Sequence, residues 1–268
     1  MMRKTLLMLP AALLLGCSSA SEVGSDPGPG DATDSSAQPD LAGCRVTANL
    51  DGAYFRALSL IIEKPAGNEG ALAETLTMIW NPQLRSGLLV LMFRVTKHDL
   101  ATGELVMEGG SGIRITEGKN AGRFQFLAHP APNAIRLKVD DCVATVTEPA
   151  EIRIYPEYCT DSIPIKGLTV GLNLAPDGSA IGEGSWMKGS LCATNAKGID
   201  TKFLPESEGC INFYGFINDI GVPTDSTAAA CGEDPAAWAF EGRFHAPRMM
   251  DDEFLPGENS LIRSFKCF

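Results

Sequence analysis

Ser185-Trp186-Met187-Lys188 sets a nucleophile three residues ahead of an amine, which is the spacing of a serine activated by lysine. Acylating enzymes with that motif place it at a helix start and add S-x-N and K-T-G elements, and this chain contains neither. Glycines at 184 and 189 point to a strand instead, which makes scaffolding the simpler role for Ser185. A G-x-S-x-G elbow is absent; "EGGSGI" around Ser111 matches it in composition only. That same Gly109-Gly110-Ser111-Gly112 run lacks the Lys-Ser/Thr of a phosphate loop. His98, His129 and His245 show no close-ligand spacing and read as solvent-facing.

Carboxylates are densest at Asp140-Asp141 and Asp251-Asp252-Glu253. Neighbours on a strand point to opposite faces, so these groups read as solvated turns and not as acid/base pairs. Asp225, Glu233 and Asp234, on a loop pinned by Cys231, offer the hard oxygens that calcium takes, although their spacing is not that of an EF-hand loop. No other cofactor is suggested. Trp186, among glycines and Lys188, is the candidate platform for a sugar, while Trp238 shares parity with Phe240 and Phe244 and belongs to the core.

Seven cysteines follow residue 40: Cys44, Cys142, Cys159, Cys192, Cys210, Cys231 and Cys267. They form no C-x-x-C and no Cys/His cluster, so they read as disulfide candidates with one thiol left over. Cys210 and Cys231, which bracket a turn-rich stretch, are the preferred pair.

The elements that must carry these residues are strands. Ile135, Leu137 and Val139 alternate with Arg136, Lys138 and Asp140, and the same period recurs around 168–174 and 238–245. Gly87 to Val95 is apolar on both faces and predicts a central strand covered on each side. Further strands are expected near 44–50, 104–108, 123–128, 143–147, 151–156, 181–191, 211–217 and 261–267. Ala71 to Leu84 predicts a short helix ending before Pro82. Short strands at this density, separated by Gly/Asp/Pro turns, predict a mainly β fold: an antiparallel β-sandwich or jelly-roll-like domain with one or two short helices. It would occupy 44–268 as one domain; the rival division falls near 148–150.

The first sixteen residues form a leader, with Arg3 and Lys4 before an apolar run too short to span a bilayer. Leu14-Leu15-Gly16-Cys17 then resembles the lipobox of bacterial lipoproteins. That resemblance implies removal of residues 1–16, a diacylglycerol on the Cys17 sulfur, and a location at the outer membrane, facing the periplasm or the cell surface. From 17 to 43 the chain is Ser, Gly, Asp, Pro and Ala, the composition of a flexible tether with a typical span of about 25–30 Å. The layout also resembles the uncharacterised secreted lipoproteins of Gram-negative bacteria, a likeness that implies no activity.

The net charge is −11, of which 18–43 holds five acids and no base. An acidic body without a basic cluster excludes nucleic acid as a partner. The expected partners are the membrane, through the lipid, and a glycan or an envelope protein. A binding or structural role is therefore favoured; the competing class is a polysaccharide hydrolase with paired carboxylates on a jelly roll.

Overall fold

Apolar side chains at every second position dictate strands with one dry face, and the computed structural model shows what that face closes around. It describes residues 43–156, 159, 161–201, 209–219, 229–232 and 237–260. Cys17, Cys267, Asp225, Glu233, Asp234, the leader and almost all of the linker lie outside the described residues.

The chain begins with β1 (Tyr54–Arg56), β2 (Ser59–Lys64), α1 (Ala71–Ser86), β3 (Leu91–Asp99), β4 (Glu104–Arg114) and β5 (Phe124–Leu127). It continues through β6 (Asn133–Asp140), β7 (Val143–Val146), β8 (Ala150–Ile154), β9 (Ile163–Asn173), β10 (Ala180–Cys192) and α2 (Ala193–Lys197). Last come β11 (Asp200–Thr201), β12 (Ile211–Asn212), α3 (Phe213–Asp219), β13 (Ala237–Pro247) and β14 (Phe254–Asn259). Twelve strands share one sheet, whose main path is β1-β3-β4-β6-β7-β9-β10-β13-β2, antiparallel at every step.

The expected mainly β, antiparallel fold is present, and its layers belong to one continuous sheet that closes on itself. Only Ala57 and Leu58 separate β1 from β2. Ala57 N–H donates to Leu91 O of β3 (2.9 Å), and Leu58 N–H donates to His245 O of β13 (3.0 Å). Two consecutive residues thus bond β3 and β13, the strands next to the two ends of the path. Side chains follow the same logic: Ile135 and Leu137 are buried against exposed Arg136 and Lys138, and Trp238, Phe240 and Phe244 are buried against exposed Arg243. Apolar inside and charged outside is the reverse of a barrel that faces lipid.

Helix α1 fills the wall beside β2. The Leu60 N–H donates to Asn81 Oδ1 (2.7 Å) and the Ile62 N–H to Thr77 Oγ1 (2.8 Å), so side chains of the helix stand in for the carbonyls of a neighbouring strand. The helix does not stop before Pro82 but runs through it to Ser86. Leu72, Leu76, Trp80 and Leu84, four residues apart, are all buried, whereas Met78, which strand parity would bury, is exposed. Ending at Asn81 would leave Leu84 without its place in the core. Gly87, at φ 79°, caps the Gln83 and Leu84 carbonyls instead.

Two further layers sit on this frame. Strand β5 pairs with β4 and with β14, and together they cover Val90 and Met92 with Phe124, Phe126 and Phe254. Leu91, Phe93 and Val95 point into the main core, so β3 is covered on both faces as its sequence predicts. At one end of the barrel, Ala196, Ile199, Phe213 and Ile217 join the main core. Residues 211–217, expected as a strand, are mostly helix α3, because Phe213 and Ile217 are four apart and both point inward.

Cys44–Cys142 and Cys192–Cys231 are disulfides, with Cα separations of 5.5 and 5.6 Å. The expected Cys210–Cys231 pair is therefore not formed. Sheet register decides the matter: Cys192 ends β10 opposite Ala237, where β13 begins, so Cys231 returns to the strand the loop left. Cys210 is also disulfide-bonded. Cys159 is the free thiol among the described residues.

Candidate functional site, a cleft at the end of the barrel

The β3–β4 and β6–β7 turns project from the barrel end opposite α2 and α3, and each is held by its own chemistry. In the first, the Asp99 carboxylate accepts from the Ala101 N–H (2.9 Å) and the Thr102 N–H (3.2 Å). Those bonds, Thr102's foremost, hold its carboxyl below the usual aspartate range. Gly103, at φ +69°, approaches β6 so closely that a Cβ there would lie 2.5 Å from Val139 O. Its carbonyl accepts from the Val139 N–H (2.7 Å), and Lys138 Nζ donates to Thr102 O. The two turns are thereby clamped together.

In the second turn Asp141 adopts φ +54°, a left-handed conformation that aspartate tolerates better than most residues. Cys142 follows it and ties the turn to Cys44. From that staple the chain crosses the barrel end: Thr47 N–H donates to Pro176 O (2.9 Å), Val46 and Leu50 are buried, and the Leu50 N–H donates to His98 Nδ1 (3.2 Å). Asp51 accepts from the His98 N–H.

Between these pieces lies an open cleft of about 620 Å³. Its charged lining is Arg45, Lys138, Asp140 and Asp141, with His98 at the side and Leu100 at 51 % exposure. His98 is only 6 % exposed, which corrects the expectation that it faces solvent. Burial lowers its pKa, against the pull of Asp51 and Asp99, and keeps the ring neutral. Because Nδ1 accepts the Leu50 N–H, the neutral ring carries its proton on Nε2.

The remaining expected site residues fall elsewhere. Ser185 is fully buried; its hydroxyl donates to Gly182 O (2.8 Å) and accepts from the Asn173 N–H (2.9 Å), while Lys188 faces out, so the two cannot act as a pair. Ser111 is likewise structural, donating to Arg153 O and accepting from the Tyr155 N–H. Trp186 is half-buried on the outer wall, above Gly171, where a Cβ would meet its Nε1 at 2.4 Å; Lys188 Nζ stands 5.5 Å from the ring centroid. Residues 251–253 form an exposed turn in which Glu253 caps the Met250 N–H (2.7 Å). Among the described residues no group of three or more His, Cys, Asp or Glu could hold a metal ion.

Asp140 and Asp141 were legible as a turn. Arg45, His98 and Lys138 were not legible as their neighbours, because a disulfide 98 residues long and the register of β6 bring them together. No protein-family model matches this chain, and neither the curated proteins nor the solved structures contain a significant match to it.

Proposed function

We propose that this chain is a lipoprotein of the bacterial envelope, anchored at the outer membrane through a lipid on Cys17, whose barrel is a binding domain with its ligand site in the end cleft. The observation that carries the binding reading is the cleft itself, of a size that takes small ligands and lined by charges on a rigid frame. Disulfide, left-handed turn and glycine contact fix the lining before any ligand arrives, which lowers the ordering cost of association. The anchor rests on the leader and on the resemblance of Leu14–Cys17 to a lipobox; the disulfides support a compartment outside the cytoplasm.

Two experiments test the two halves. A palmitate analogue should label the wild type and not Cys17→Ala, and equal labelling of both removes the anchor. A glycan panel is then offered to the purified protein. Retention lost in Arg45→Ala supports binding in the cleft, whereas release of new reducing ends favours the competing hydrolase. A second binding reading rests on the indole laid over Gly171: retention of a glycan lost in Trp186→Ala but kept in Arg45→Ala would move the site to the outer wall.

A further inference from the structure

The charges in the end cleft are arranged in a way that folding alone does not explain. Arg45 directly follows Cys44, and Asp141 directly precedes Cys142, so one disulfide tethers a guanidinium close to a carboxylate. Yet neither Arg45, Asp140 nor Asp141 makes an ion pair among the described residues, although six such pairs form elsewhere on the barrel. Lys138 is committed in part to the Thr102 carbonyl. His98 supplies a second uncommitted group, for it is 94 % buried and lines the cleft, and its Nδ1 is occupied while its Nε2–H has no acceptor among the described residues. That ring N–H opens on the cleft, where it is free to donate to a ligand acceptor.

From this we infer that the cleft takes a zwitterionic ligand of amino-acid or short-peptide size, its carboxylate on Arg45 and the His98 Nε2–H, and its ammonium on Asp140 and Asp141. The lining carries two cations and two carboxylates, so a ligand of either single sign would leave one pair facing its own charge. A zwitterion matches both. Leu100, exposed at the rim, offers an apolar contact to a side chain. The inference rests on the cleft being the binding site, and it adds the class of ligand.

The test is isothermal titration of the purified chain with alanine, dialanine and trialanine, and with the N-acetyl and C-terminal amide forms of whichever binds best. At least one free form should bind with a Kd below about 1 mM, and each capped form should bind at least about tenfold more weakly. Arg45→Ala should weaken the free form and leave the amide unchanged; Asp141→Asn, which keeps a residue tolerant of the left-handed turn, should weaken the free form and leave the N-acetyl form unchanged. Circular dichroism on both variants controls for folding. Equal affinity of free and capped forms, absence of binding by all three peptides, or indifference to both substitutions overturns the inference. If the peptides fail while a glycan is retained and Arg45→Ala releases it, the zwitterion falls and the binding cleft stands. If neither class is retained, both fall.

Discussion

Cys159 shows what burial does to one reactive atom. It is 2 % exposed, its Sγ lies 3.2 Å from Thr201 Oγ1, and burial pushes its pKa up to about 11. At pH 8 the thiol is therefore protonated and shielded, and maleimide should modify it only after denaturant is added; modification of the native protein at a free-thiol rate would contradict that burial. His98 makes a prediction in pH. Its folded pKa lies below the unfolded value, so the unfolded chain binds the proton more readily and stability rises with pH across that interval. The contribution is fully present above about pH 6.5 and is lost as pH falls through the folded value. Urea midpoints at pH 7.5 and pH 5 should diverge for the wild type and converge for His98→Asn, in which an amide oxygen can still accept the Leu50 N–H. Neither residue's environment is visible in its sequence neighbourhood, since Thr201 and Leu50 are more than forty residues away from the groups they touch.

At the scale of elements, the alternation in β6 and β13 was open to reading because each strand has one more exposed face, and β3 was readable because its inward residues and Met92 are buried on both faces. In β9 the apolar parity was right, but its other face is covered, with Gly171 under Trp186 and Asn173 buried. Helix α1 was harder. A proline argues for termination, and only the exposure of Met78 beside burial of Leu84 shows that tertiary packing prevails. Pro82 lacks the N–H that would bond back to Met78, a defect worth up to about 3 kcal/mol in a helix interior, so Pro82→Ala should raise the unfolding free energy by about 1–3 kcal/mol in urea titration. The β3–β4 turn makes the opposite prediction. Gly103→Ala forces a side chain into a left-handed φ and against Val139 O, and should cost about 2 kcal/mol or more, read as a lower thermal midpoint. An unchanged midpoint would mean that this turn is not clamped to β6.

For the whole molecule, the short strands and turns announced an antiparallel β domain, but not that its sheet would meet itself, because closure depends on which strands pair and not on how each is patterned. Two disulfides tie connecting segments to that frame, one at the β6–β7 turn and one at the end of β10. Cys44–Cys142 spans 98 residues and Cys192–Cys231 spans 39, worth about 4–5 and about 4 kcal/mol by loop entropy, so Cys44→Ser with Cys142→Ser should lower the denaturant midpoint more than Cys192→Ser with Cys231→Ser. The bend at Ala57-Leu58 carries a consequence in time. Its second half pairs with β13, and the Lys64–Glu241 ion pair on that seam joins residues 177 apart. A chain made from its amino end produces this strand first and its partner almost last. Until residue 247 has emerged, Leu60 and Ile62 have helix α1 beside them but no strand on the other side, and a growing or truncated chain presents an open sheet edge. Ring closure thus turns the seam into a test of completeness, in which only a chain long enough to reach its own beginning hides its edges.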